Sequence, residues 1–247
     1  MFHKILFSCG LMIAPFFSNL YAEEVLIFTE EWPPYNYTEK GKITGVSTDV
    51  VRTLLERLDK EYKIELLPSM RSSDMVTSRA HSMMFSMFKT PEREPNYKWI
   101  GPLTDGSIYF YKKKGSNIKI ENFDDMKNSH LWICSRHAGL VHRLLQKQGF
   151  KNLDDSSTNG RQIYRKLLAG RCDLAISESD LGVRHILKSF GLNIEEVFEK
   201  IPFPIIKADL YLVASKDFSD AEIQQWQSAL DAIKSNGVYE KIIDKYN

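Results

Sequence analysis

Apolar residues fall along the chain in short runs divided by prolines, glycines and charged turns, and the runs alternate between two periods. Val25-Leu26-Ile27-Phe28-Thr29 and residues 62–67 read as strands; between them Val50, Val51, Leu54, Leu55 and Leu58 recur at helical spacing, with Ser47-Thr48-Asp49 as the predicted cap. A further helix follows Pro68. Met83-Met84-Phe85-Ser86-Met87-Phe88 is bulky on both sides, which predicts a strand covered on both faces, as in a parallel sheet between helices. It runs into a proline-checked turn, residues 89–93, and a second extended segment ending at Trp99-Ile100-Gly101-Pro102.

Beyond Pro102 the pattern starts again. Strands are predicted at residues 107–113, 131–134 and 173–177, with helices at 140–148 and around Ile163, Tyr164, Leu167 and Leu168, ended by Gly149 and Gly170. This repeat predicts a second parallel sheet. After Phe203-Pro204 the chain returns through Leu210-Tyr211-Leu212-Val213-Ala214 and a helix carrying Ile223, Trp226, Leu230 and Ile233. The expected fold is therefore α/β with two lobes, residues 23–104 plus 206–247 in one and 105–205 in the other, crossing near Asp105 and Ile205.

Lys4 is the only charge ahead of a mostly apolar run over residues 5–17, and Leu20-Tyr21-Ala22 precedes Glu23-Glu24, so residues 1–22 read as a secretory signal. The remainder is then expected in the periplasm. No other apolar stretch approaches the roughly 20 residues of a membrane helix. With 33 basic and 32 acidic side chains, the chain offers no electrostatic case for nucleic acid. Cys134 and Cys172 each lie in an apolar strand-like run, and small buried thiols are the expected reading, ahead of one bridge.

In open sheets ligands gather outside the carboxyl ends of the strands, which singles out Ser86, Phe88 and Arg93. After the first strand, Glu30-Glu31-Trp32-Pro33-Pro34-Tyr35 holds its aromatics on a proline-fixed loop, with Glu30 at its start a further candidate. Arg71 near a helix start works against the helix dipole, so a functional reason is attractive there, and Arg136 adds charge at another strand end. The histidines form no spaced pair with carboxylates, and neither Gly-x-Ser-x-Gly nor His-Glu-x-x-His occurs. No catalytic residue, cofactor or metal is expected.

These words, in this order, resemble the bacterial periplasmic solute-binding proteins of the polar-amino-acid class, family 3. The resemblance is carried by Ser86-Met87-Phe88-Lys89-Thr90-Pro91-Glu92-Arg93, Gly45-Val46-Ser47-Thr48-Asp49, Gly170-Arg171-Cys172-Asp173-Leu174-Ala175-Ile176-Ser177-Glu178, and the closing Gly237 to Tyr246. It implies a periplasmic-binding-protein-like type II fold, two α/β lobes with a ligand cleft and two hinge crossings. It also implies that Arg93 clamps a ligand carboxylate, that Glu178 meets an ammonium, and that an aromatic at Trp32 or Tyr35 packs on the ligand. The implied partners are a small-molecule ligand and an inner-membrane ABC-type permease, or a sensor, served by a monomer; a binding-protein-derived dehydratase shares the fold. The sequence departs from the family where Phe88 and Ala138-Gly139 replace hydroxyl-bearing residues and Glu178 replaces the commoner Asp. A redirected ligand preference is the expected consequence.

Overall fold

The computed structural model describes residues 25–137 and 139–246; the expected signal at 1–22 lies outside them. Among the described residues no helix is long and apolar enough to cross a membrane. Two five-stranded sheets divide the chain. The first orders the strands Lys63–Leu66, Leu26–Thr29, Ser82–Phe88, Asp209–Ala214 and Lys98–Asp105. The second orders Phe198–Ile206, Ile108–Lys113, Leu174–Ala175, Ile133–Arg136 and Leu153–Ser157.

Neither sheet is wholly parallel. Asp209–Ala214 runs antiparallel to both neighbours in the first, and Ile108–Lys113 does so in the second. The antiparallel strands are those that pass between lobes. Asp105 pairs with Asp209 and Ile108 with Ile206, while Gly106 N–H donates to Ala208 O at 2.9 Å. Two crossings thus run side by side, and the segment around Phe203-Pro204, expected as a turn, is part of the long strand Phe198–Ile206.

Each sheet is covered on both faces. Met83 and Phe85 pack with Val50, Leu54, Trp226 and Leu230 on one side of the first sheet, and Met84 and Met87 with Phe28 and Val76 on the other. In the second lobe Ile163, Tyr164, Leu167 and Val183 cover one face and Val141, Leu145 and Phe150 the other. Burying a side chain of this size contributes about 1.5–3 kcal/mol, so each lobe holds its own core.

Cys134 and Cys172 form a disulfide with a Cα–Cα distance of 5.9 Å, which corrects the expectation of free thiols. Both were rightly placed in buried surroundings. Leu174–Ala175 and Ile133–Arg136 are adjacent parallel strands, however, with Ala175 opposite Cys134, so Cys172 just before its strand meets Cys134 on the same face. A second correction concerns the first helix, Val46–Arg57, whose cap is Gly45; Ser47, Thr48 and Asp49 lie inside its first turn. Asp49 instead accepts from Tyr246 Oη at 2.7 Å and pairs with Lys245 Nζ at 2.6 Å. The first helix and the chain's last turn are thereby joined.

Candidate functional site

The loop after the first strand is fixed by the helix that follows it. Val46 N–H donates to Pro34 O at 2.9 Å and Ser47 N–H to Tyr35 O at 3.0 Å, so loop carbonyls satisfy the helix's orphan donors in place of a side-chain cap. Gly45 makes this approach possible at φ 121°, because a Cβ there would stand 2.3 Å from Tyr35 O. The loop therefore presents Trp32 and Tyr35 from a rigid base.

Tyr35 is fully buried. Its hydroxyl donates to Asp105 O at 2.8 Å and shares a 2.6 Å hydrogen bond with Ser179 Oγ of the second lobe. Trp32 packs 4.7 Å from the Tyr35 ring and 5.5 Å from Phe88, and its Nε1–H donates to Glu178 Oε2 at 3.2 Å, across the cleft.

Ser86 interrupts the central strand. It adopts φ 66°, and the pairing with the neighbouring strand jumps from Phe85 opposite Leu212 to Met87 opposite Tyr211, which leaves Ser86 as the extra residue of a bulge. A non-glycine residue in this region costs on the order of 1–3 kcal/mol, and such strain clusters at sites. The bulge turns Met87 onto the face of Met84 and leaves the Ser86 hydroxyl buried without a hydrogen-bond partner among the described residues. Two residues on, Phe88 is half-buried, and Gly106 beside it leaves room for its ring: a Cβ there would lie 2.9 Å from it. Arg93 is exposed on the following turn, with one long hydrogen bond from Nη1 to Phe88 O at 3.4 Å.

The opposing wall comes from the second sheet. Glu178 follows Leu174–Ala175 and is packed against two glycines: a Cβ on Gly182 would come within 2.7 Å of Glu178 Cβ, and one on Gly160 within 3.1 Å of its Oε1. Its backbone N–H donates to Tyr164 Oη at 3.3 Å, and Ser177 Oγ donates to Oε1 at 3.0 Å. Arg136, at the end of Ile133–Arg136, is exposed and donates through Nε to Thr158 O at 3.1 Å.

A cavity of about 360 Å³ lies between these walls. Of the residues singled out from sequence it brings together Glu30, Trp32, Ser86, Phe88, Arg93, Arg136 and Glu178. Tyr35 backs Trp32 without lining the cavity, and Arg71 is exposed on the helix Ser69–Ser78, away from the lining. Sequence reasoning missed Ser69 and Ser73, four apart on one face of that helix, and the apolar floor of Met84, Met87, Ile108, Val141 and Ile176. The serine spacing was a usable signal; the floor residues look like any core strand.

Burial pushes the carboxyls of Glu30 and Glu178 above their ordinary value of 4.5. A Ser69 hydrogen bond, Arg93 and Arg136 pull Glu30 back down, and Trp32, Ser177 and Arg136 do so for Glu178. Arginines from both lobes thus act on acids in one cavity.

The chain itself matches a known family: a model of bacterial extracellular solute-binding proteins, family 3, aligns with residues 25–247. The chain belongs to that family. Among curated relatives of this solute-binding protein, the Bacillus subtilis "Probable amino-acid-binding protein YxeM" is 24% identical over 222 residues, covering 86% of this chain and 79% of its own length. Among solved structures, an ancestral cationic amino acid solute-binding protein superposes with TM-score 0.72 at 17% identity, covering 90% of this chain and 95% of that one. A histidine kinase sensor domain described as similar to periplasmic binding proteins superposes with TM-score 0.68 at 17% identity, over 90% and 95% of the two chains. The two-lobed, type II binding-protein fold is common to these.

Proposed function

We propose that this solute-binding protein captures a small polar solute, an amino acid or related carboxylate, between its lobes and delivers it to an ABC-type permease as a periplasmic monomer. The lobes are residues 23–104 with 206–247, and 105–205. One observation carries the reading: the cavity takes its charged groups from both lobes, Arg93 on one wall and Glu178 on the other. The Arg93 fork suits two charge-assisted hydrogen bonds to a carboxylate, and Glu178 supplies the opposite charge for an ammonium. A site split in this way gains its full contact set only when the lobes meet, which favours hinge closure on the ligand.

The test is a thermal-shift panel of amino acids, amines, small carboxylates and peptides, followed by small-angle scattering with any ligand that shifts the melting point. A ligand at 100 times its dissociation constant stabilises by about 2.7 kcal/mol. The expected result is a shift with a carboxylate-bearing solute and a smaller radius of gyration when it is bound. No shift across the carboxylates, or an unchanged radius at saturation, would overturn the reading. The likeness to a histidine kinase sensor domain supports one alternative destination, in which the closed form reports to a membrane sensor. Pull-down from membranes with closed protein separates the two by the partner retained.

A further inference from the structure

Hydrogen-bonding groups on the cavity wall are out of balance. Of the acids, Glu178 already accepts from Trp32 Nε1–H at 3.2 Å and from Ser177 Oγ at 3.0 Å. Glu31 accepts from the Thr38 N–H, and Glu30 is hydrogen-bonded by Ser69. The donors are less well matched. A guanidinium carries five N–H groups. Arg93 uses one of them, at 3.4 Å, and Arg136 uses its Nε, both on backbone carbonyls of described residues. The Ser86 hydroxyl, buried and lining the same cavity, has no hydrogen-bond partner among the described residues. These donors call for acceptors, and the two cations among them stand on opposite lobes, beside three carboxylates that keep acceptor sites of their own.

We infer that the solute carries two anionic groups, one received by Arg93 and Ser86 on the first lobe and the other by Arg136 on the second. This rests on the solute-binding reading above and narrows it to dicarboxylates and acidic amino acids. Arg136 then becomes the residue that sets specificity, reached by the ligand only when the lobes close, while Gly139 beside it on the cavity wall offers no hydroxyl to share the task. The apolar floor of Met84, Met87 and Ile176 suits the methylene chain between two such groups.

The test compares solutes that differ only in the second charge. Titration calorimetry is run with L-glutamate against L-glutamine and with glutarate against butyrate, on the wild type and on Arg136→Gln. Succinate and adipate bracket the spacing. The wild type is expected to prefer the dianion of each pair by at least tenfold, and Arg136→Gln to lose most of that preference. Its unliganded melting point should be unchanged, because Arg136 is exposed. A glutamine or butyrate affinity equal to that of its partner, or a preference that survives Arg136→Gln, overturns the inference and leaves the solute-binding reading standing. Binding of amines or peptides alone, with no carboxylate bound in any arm, overturns both.

Discussion

The two walls of the cleft hold their charges in opposite ways. Arg93 hangs on an exposed turn with one 3.4 Å hydrogen bond, whereas Glu178 is wedged against Gly160 and Gly182, bonded on both oxygens, with its N–H on a tyrosine of the second lobe's core. Tyr164 belongs to the cluster that contains Cys134 and Cys172, so the Glu178 socket is backed by the disulfide. An embedded charge is part of the folded architecture, while an exposed one waits for a partner. The first lobe should therefore lose binding without losing stability when its charge is removed, and the second should lose both.

The largest effect that would sharpen this contrast is reduction of the disulfide. Its sequence separation of 38 corresponds to roughly 3–4 kcal/mol of unfolded-state constraint. Chemical denaturation with reductant, or of Cys134→Ala/Cys172→Ala, should show that loss, with hydrogen exchange rising in residues 105–205 ahead of the rest. Uniform loss of protection would break the separation of the lobes.

Next comes the socket itself. Gly182→Ala gains up to about 1 kcal/mol of helix propensity, yet its Cβ would stand 2.7 Å from Glu178 Cβ. Overpacking of that kind costs about 1–3 kcal/mol, so a net loss of up to about 2 kcal/mol is expected from denaturant curves, together with weaker ligand binding. A stabilised variant would mean that the socket yields.

A smaller effect is the pH dependence of the unliganded protein. Glu178 and Glu30 have folded pKa values raised above 4.5, so their contribution to stability is full below that value and is lost as pH rises through the folded pKa. Asp154 and Asp217 act in the other direction. Burial opposes their ionisation, but hydrogen bonds from Lys166 and Ser156 to the first, and from Ser215 and His81 to the second, hold both at about 2. Their contribution is present above the ordinary 3.8 and is lost on further acidification. Melting points should rise modestly as pH falls through the raised pKa values of the two glutamates towards 4.5, and fall on acidification below 3.8. Glu178→Gln should flatten the rise; an unaltered profile would mean that Glu178 is better solvated than its socket implies.

Periodicity and order along the chain made most of the strands and the two α/β halves legible, though not Leu153–Ser157 or Phe198–Ile206; of the seven predicted residues that line the cavity, Glu178 came through the family resemblance. The rest depended on contacts between distant segments. Ser86 reads as a mid-strand residue, and only its pairing with Asp209–Ala214 exposes the bulge that turns Met87 over. Cys134 and Cys172 become neighbours through strand adjacency that neither local run encodes. Tyr35 and Trp32 are alike by position, yet the backbone bonds to Val46 and Ser47 bury the first and leave the second facing Glu178. Arg71 drew attention by its quarrel with a helix dipole, which solvent at an exposed site is enough to settle.

The most direct test sets Arg93→Ala beside Glu178→Ala, measuring unliganded melting for each and calorimetric titration with the carboxylate returned by the thermal-shift panel. Arg93→Ala should bind on the order of 10²-fold more weakly, Arg93→Lys nearly as badly for want of the planar fork, and neither should move the unliganded melting point. Glu178→Ala strips partners from Trp32 and Ser177 and should cost about 1–3 kcal/mol of stability as well as affinity. Arg93→Ala with unchanged affinity, or with a stability loss as large as that of Glu178→Ala, would contradict the division of roles between the two walls.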